Sequence, residues 1–323
     1  MSLPFNLMFS IETLLENISS KKIQKAAQDL SLRYREKQSK GIKFIQNEEE
    51  ALAYLCMRLP ATYAATAHVF SDIKKLLSSV QIESFLDLGS GSGAAFWSAI
   101  TMFPEIKKAF LVEEDSHLID LGKQIASYEN TKVEAEWMRH DFTKEKNYPP
   151  SDLVVFSYSL GEVSKNYYQE IFSSVIRAVK QFLIVVEPGT PVGFERILHV
   201  REHLLNQGLY LVAPCPHSKK CPLMTSFNWC HFSQRLSRSS VHKFLKEGSL
   251  GYEDEKFSYV VFSKKDYNLS YDRVIGNPKV NPGYIDLHLC TKEGSSCSKK
   301  ILKREAQNFT QLKKTEWGDA ILT

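Results

Sequence analysis

Cys215, Cys221 and Cys230 stand in one segment, APCPHSKKCPLMTSFNWCHFSQR (213–235), with His217 and His231 among them. Thiolates are the ligands of soft metals and of iron–sulfur clusters. The gaps of five and eight residues are wider than C-x-x-C, which excludes a zinc ribbon. Pro214, Pro216 and Pro222 stiffen the loop and preset the directions of its thiols. The plain alternative, three reduced cysteines with nothing between them, fits poorly because free cysteine prefers burial and this stretch is too polar to be core. A fourth ligand is required. Cys290, in the strand-like IDLHLC, is the first candidate, and Cys297 and His217 are the alternatives.

The second constellation is LDLGSGSGAAFWSA. Gly89, Gly91 and Gly93 follow a strand-like run and precede a helical one. Glycines permit a sharp turn there and the close approach of a ligand, and the helix N-terminus favours polar or anionic groups. Asp87 before the first glycine makes the loop D-x-G-x-G-x-G. That pattern resembles the cofactor loop of class I S-adenosylmethionine-dependent methyltransferases more than the G-x-G-x-x-G of dinucleotide enzymes. Glu113, some twenty residues on, ends the next strand, where an acid accepts from ribose hydroxyls. Asp141, after a third strand at 133–138, fits an acid near adenine. Ser157 opens SYSLGEV (157–163), the place of substrate-facing residues. No base or nucleophile stands out, and methyl transfer can proceed by proximity and orientation alone. The C-x3-C-x2-C spacing of radical S-adenosylmethionine enzymes is absent.

These residues need a scaffold. Short apolar runs at 85–89, 109–114, 152–158, 182–188, 208–214 and 257–263 alternate with helical patterns at 94–102, 117–128, 167–179 and 194–206. Such alternation predicts a parallel sheet flanked by helices. Residues 1–80 read as helical. After Gly41 a second helix is expected, capped by Asn47, and Pro60 is expected to break it or start another. Cys56 in that pattern reads as a buried structural thiol. The division expected is a helical region at 1–80, a nucleotide-binding α/β domain at 81–265 with a cysteine insertion at 213–250, and a small β-rich extension at 266–323.

The 323 residues carry a net charge of +4, with 43% hydrophobic and 24% charged residues, an ordinary globular balance. No apolar run is long enough to span a bilayer. The N-terminus lacks a basic n-region and a cleavage site, and it is not Arg-rich, so neither a secretory nor a transit segment is expected. A cytoplasmic location follows, with the mitochondrial matrix as the alternative. Two basic clusters attract polyanions: Arg235, Arg238 and Lys243 without an acid among them, and Lys299, Lys300, Lys303 and Arg304 near the C-terminus. The plain alternative is a solvated basic face. Glu253, Asp254 and Glu255 read either as residues that position a loop or as a charged turn before an edge strand. Glu187 reads as substrate-facing or as a helix cap.

Blocks along nearly the whole chain resemble a methyltransferase-like family whose mitochondrial members assemble the small ribosomal subunit. They are LSLRYR (30–35), RLPATYAA (58–65), the glycine loop, VEPGTPVGFERI (186–197), APCPHSKKCPL, WCHFSQR, GYEDEKFSYV (251–260), LHLCTKEG (287–294) and TEWGD (315–319). The resemblance implies a class I methyltransferase (Rossmann-like) fold. It also implies a [4Fe–4S] cluster on Cys215, Cys221, Cys230 and Cys290, S-adenosylmethionine at the glycine loop, and binding to small-subunit rRNA in the assembling subunit. A bacterial-type member, acting as a monomer without membrane contact, is expected. An active rRNA methyltransferase and a zinc-stabilised RNA-binding protein with a vestigial pocket are the competing readings.

Overall fold

A computed structural model describes the chain except residues 17, 37–43, 130, 225, 247, 307 and 323. Three helices lead: α1 (Phe5–Leu15), α2 (Ser20–Glu36) and α3 (Glu48–Leu76). The break expected after Gly41 falls outside the described residues. Asn47 caps α3 as expected: its side chain accepts from the Glu50 amide at 2.9 Å, and Glu50 in turn accepts from the Gln46 amide at 3.0 Å. Pro60 does not break α3, which runs through it for 29 residues. The helix is buried on most sides, so tertiary packing outweighs the one backbone bond that proline removes. Cys56 lies buried in it, and burial pushes its thiol up to about 12.

The central sheet follows as β1 (Ser84–Leu88), α4 (Ala94–Met102), β2 (Lys108–Glu113), α5 (Ser116–Glu129), β3 (Glu134–Arg139), β4 (Ser151–Ser157), α6 (Tyr168–Ala178), β5 (Val179–Pro188), α7 (Pro191–Asn206) and β6 (Tyr210–Ala213). The insertion then forms β7 (Phe232–Ser237) and α8 (Ser240–Leu245) before β8 (Tyr252–Ser263). Strand order is β3-β2-β1-β4-β5-β8-β6, with β7 paired to β8. The first five strands are parallel, and β8 runs antiparallel between β5 and β6. This is the mixed α/β, Rossmann-like sheet of class I methyltransferases. The parallel strands β1 and β4 are buried along most of their length and mainly apolar, as central parallel strands must be, with Asp87 a buried exception in β1.

One apolar core joins α1–α5 to one face of the sheet, so the N-terminal helices complete the α/β core. α6 and α7 cover the other face. A second, five-stranded antiparallel sheet holds β9 (Tyr271–Val274), β10 (Lys279–Val280), β11 (Tyr284–Cys290), β12 (Ser296–Leu302) and β13 (Ala320–Leu322), with the short α9 (Phe309–Leu312). Its own small core is Val274, Ile285, Leu287, Leu289 and Phe309.

Candidate functional site

The glycine loop leaves β1 at the carboxyl end of the parallel strands, where open α/β sheets bind ligands. Gly89, Gly91 and Gly93 all have left-handed backbone, with φ of 76°, 56° and 87°. At Gly89 a Cβ would stand 2.4 Å from Ser159 Cβ, so only glycine fits. Gly93 caps α4 in that conformation.

Asp87 is fully buried beneath the loop, and neither carboxylate oxygen has a partner among the described residues. Burial, reinforced by the Glu113 charge, pushes its carboxyl up to about 8. Glu113 is turned onto the loop itself: Oε2 accepts from the Gly91 amide at 2.7 Å, and Oε1 from the Glu114 and Asp115 amides. Burial raises its carboxyl, and those amides offset part of the rise. Glu187, at the end of β5, is 0% exposed, and Arg196 donates to its Oε2 at 2.9 Å. Its carboxyl rises to about 6 by burial, with Arg196 opposing. Glu187 therefore neither caps α7, which Thr190 does, nor stands free toward solvent. Glu162 is exposed by area and lies close enough to Glu113 and Glu187 to feel their charges. It is raised to about 7, by desolvation first and then by Glu113, Glu187 and Glu114. This mouth is rich in carboxylates held away from water, an environment that favours a cationic ligand.

The other expected cleft residues differ in standing. Ser157 is buried at the end of β4. Asp141 is engaged by its own turn, accepting from the Thr143 amide and hydroxyl and from Lys144 Nζ. Desolvation opposes, but Lys144 and Thr143 hold its carboxyl below the usual range. Tyr158, which sequence reading passed over as a site residue, has φ 59°, uncommon for a residue with a side chain. Its hydroxyl donates to Glu255 Oε1 at 2.9 Å, and the Arg58 guanidinium lies 5.2 Å from its ring centre.

The second site borders the β8–β6 edge of the central sheet. Cys215, Cys221, Cys230 and Cys290 line one cavity together with Arg201, Arg273, Pro214, Pro222 and Tyr259. Two remote segments make it: the loop after β6 and the end of β11. Buried Tyr271 and Arg273 of β9 tie them together. The Tyr271 hydroxyl donates to the Val212 carbonyl at 2.7 Å, and Arg273 donates to the Pro214 carbonyl at 2.9 Å and to Asp72 Oδ1 at 2.9 Å. Burial and the neighbouring thiols push Cys221 up and Cys230 well up, and push Cys290 to about 12. Among the described residues, no three His, Cys, Asp or Glu side chains are gathered as a metal-holding group. The four thiols line that cavity without closing on a point, and a bound cation is what would make thiolates stable there. Cys297 is exposed on β12 opposite Leu289 and does not line the cavity. His217 is buried, with Nε2 3.5 Å from Cys290 Sγ.

The basic clusters separate. Arg235 and Arg238 are not free: β7 lies antiparallel to β8, and that register sets Arg235 opposite Asp254. Arg235 forms a two-armed pair with Asp254 at 2.8 and 2.9 Å, and Arg238 pairs with Glu253 at 2.8 Å. The 252–255 run is therefore strand, not a turn before an edge. Lys243 is exposed on α8. Lys299, Lys300, Lys303 and Arg304 are all exposed on or just after β12, with Lys300 over the Tyr284 ring at 4.4 Å and Arg304 3.7 Å from Glu305.

Comparison with known proteins adds relatives to this geometry. Residues 48–322 match the protein family described as mitochondrial small ribosomal subunit Rsm22. The mitochondrial ribosome assembly protein METTL17 of Homo sapiens is 24% identical over 289 residues, covering 84% of this chain and 62% of that protein. The mitochondrial Rsm22-cox11 tandem protein 2 of Schizosaccharomyces pombe is 24% identical over 328 residues, covering 84% of this chain and 43% of its own. The mitochondrial ribosome assembly protein RSM22 of Saccharomyces cerevisiae is 20% identical over 322 residues, covering 65% of this chain and 50% of that one. The chain thus spans roughly half the length of these curated relatives. Among solved structures, magnesium protoporphyrin IX methyltransferase of Synechocystis, with bound S-adenosylmethionine, aligns at a TM-score of 0.43 and 9% identity, covering 77% of this chain and 100% of that one.

Proposed function

The chain belongs to the Rsm22 family of mitochondrial small ribosomal subunit proteins, and from that premise we propose that it is a small-subunit assembly factor. In this reading it binds rRNA, S-adenosylmethionine and a [4Fe–4S] cluster. One observation carries it: Cys290, from the C-terminal sheet, faces the same cavity as the three cysteines of the insertion. Cys215, Cys221, Cys230 and Cys290 would hold the cluster, which when bound supplies a redox-active cross-link between the two sheets. The neighbouring proline-rich loop and the β9 anchors hold those thiols in place.

S-Adenosylmethionine carries an ammonium and a sulfonium, and the carboxylates of the cleft suit both charges. Asp87, buried and unpartnered, is the acceptor in greatest need of a cation. The exposed lysines of β12 would meet rRNA phosphates. The relatives' mitochondrial names favour the matrix over the cytoplasm expected from the N-terminal residues. Among the described residues, no helix is long and apolar enough to cross a membrane. A second reading, an rRNA methyltransferase, is favoured by Tyr158, whose left-handed backbone at the cleft mouth is the kind of strain that clusters at working sites.

The test is anaerobic purification, with iron, sulfide and zinc counted on one sample, followed by co-sedimentation with immature small subunits. Matched iron and sulfide with co-sedimentation support the reading. Zinc without iron removes the cluster, and absence from the subunit fractions removes the assembly role. Methyl transfer to the subunit's rRNA decides for the second reading.

A further inference from the structure

Burying a guanidinium is unfavourable unless its donors and its charge are both met. Arg201 projects from α7 and is 5% exposed. One arm donates to the carbonyl oxygens of His217 and Lys219, at 2.8 and 2.7 Å. Its Nε is buried without a partner, and among the described residues no carboxylate forms an ion pair with it. Arg273, 1% exposed, has its charge met by Asp72, yet its Nη2 is also buried and unpartnered. Both arginines line the cysteine cavity. Carbonyl dipoles satisfy donors but do not cancel a net charge. Neutral thiols do not cancel it either.

We propose that Arg201, assisted by Arg273, is the counter-cation of an anionic four-thiolate iron–sulfur centre and holds its reduction potential up. The proposal rests on the cluster assigned above. An oxidised four-iron core with four thiolates carries about two negative charges, and one electron from a low-potential donor adds a third. A buried cation beside the centre favours the more negative state, so its removal makes the centre harder to reduce.

The experiment uses the full chain, loaded anaerobically, as wild type, Arg201→Met and Arg201→Lys. Iron per chain is counted, and the midpoint is read by dithionite titration followed by electron paramagnetic resonance. Arg201→Met is expected to shift the midpoint to more negative values, with Arg201→Lys close to wild type. Loss of iron in the methionine variant alone equally supports a charge requirement. An iron-replete Arg201→Met with the wild-type midpoint overturns the proposal. So does an Arg201→Lys that falls as far as Arg201→Met in midpoint or iron, because the carbonyl bonds and not the charge would then be what matters. A wild type that binds no iron defeats the cluster reading itself, and this proposal with it. That failure is visible before any variant is compared.

Discussion

The glycine-loop cleft and the cysteine cavity are unbalanced in opposite senses. The cleft buries carboxylates without enough cations: Asp87 has no partner, and Glu187 has one arginine. The cavity buries arginines without enough anions, and its thiols resist ionisation. In the proposed reading the cleft would take a cationic small molecule, and the cavity a metal centre whose thiolates leave it negative. The cleft is also local, built from one loop and the ends of neighbouring strands. The cavity draws on both sheets, so its occupant bears on stability as well as on binding.

The largest effect should come from Cys221→Ala. Iron should fall to background, and stability should drop by more than about 4 kcal/mol in thermal unfolding, since a ligand set is lost outright. Binding of S-adenosylmethionine by calorimetry should survive, and a parallel loss there would break the separation of the two sites. Gly89→Val is the converse. Its Cβ meets Ser159 and its φ of 76° is strained, so cofactor binding should vanish with a cost of about 2 to 3 kcal/mol, while iron is kept.

Asp87→Asn tests the charge balance itself. An acid raised from 3.8 to about 8 holds its proton more tightly in the folded chain than in the unfolded one. Between those values the native state binds more protons, so ligand-free stability falls as pH rises from about 4 to about 8. Asp87→Asn should flatten that slope in urea unfolding, by on the order of a few kcal/mol across the window. An unchanged slope would mean that Asp87 is not the cleft's unbalanced charge. The smallest effect is at the surface. Lys299→Gln with Lys300→Gln should weaken RNA binding roughly tenfold and reduce the salt slope by about 0.9 per lost phosphate contact, whereas Arg235→Gln, already paired, should change it less than about twofold.

Both sites were legible in part: the glycine loop and the four cysteines that line the cavity were read from sequence, whereas Tyr158 and Glu162 of the cleft were not. Helix 94–102 was readable to the residue, because Gly93 precedes it and Phe103-Pro104 follows it. The apolar strands lay within a few residues of their runs. β7 escaped notice because only Phe232 and Leu236 of its six residues are buried, which leaves a weak pattern. Pro60 misled because local propensity says nothing of the packing around α3. The arginines of 235–238 looked free because their acids arrive from β8, beyond α8, through strand register rather than sequence proximity. Arg201 and Arg273 carried no signal at all. A buried arginine and a surface one are the same letter, and only the fold separates them.

The split origin of the cavity orders events in time as the chain is made. Cys290 follows Cys230 by 60 residues and lies in a sheet whose last strand, β13, is at 320–322. A chain not yet made past β11 therefore offers three of these thiols and lacks the segment that carries the fourth. In the proposed reading, cluster insertion waits for the strand that bears Cys290. The metal content would then record that β11 has been made, and a product truncated before Cys290 would be colourless.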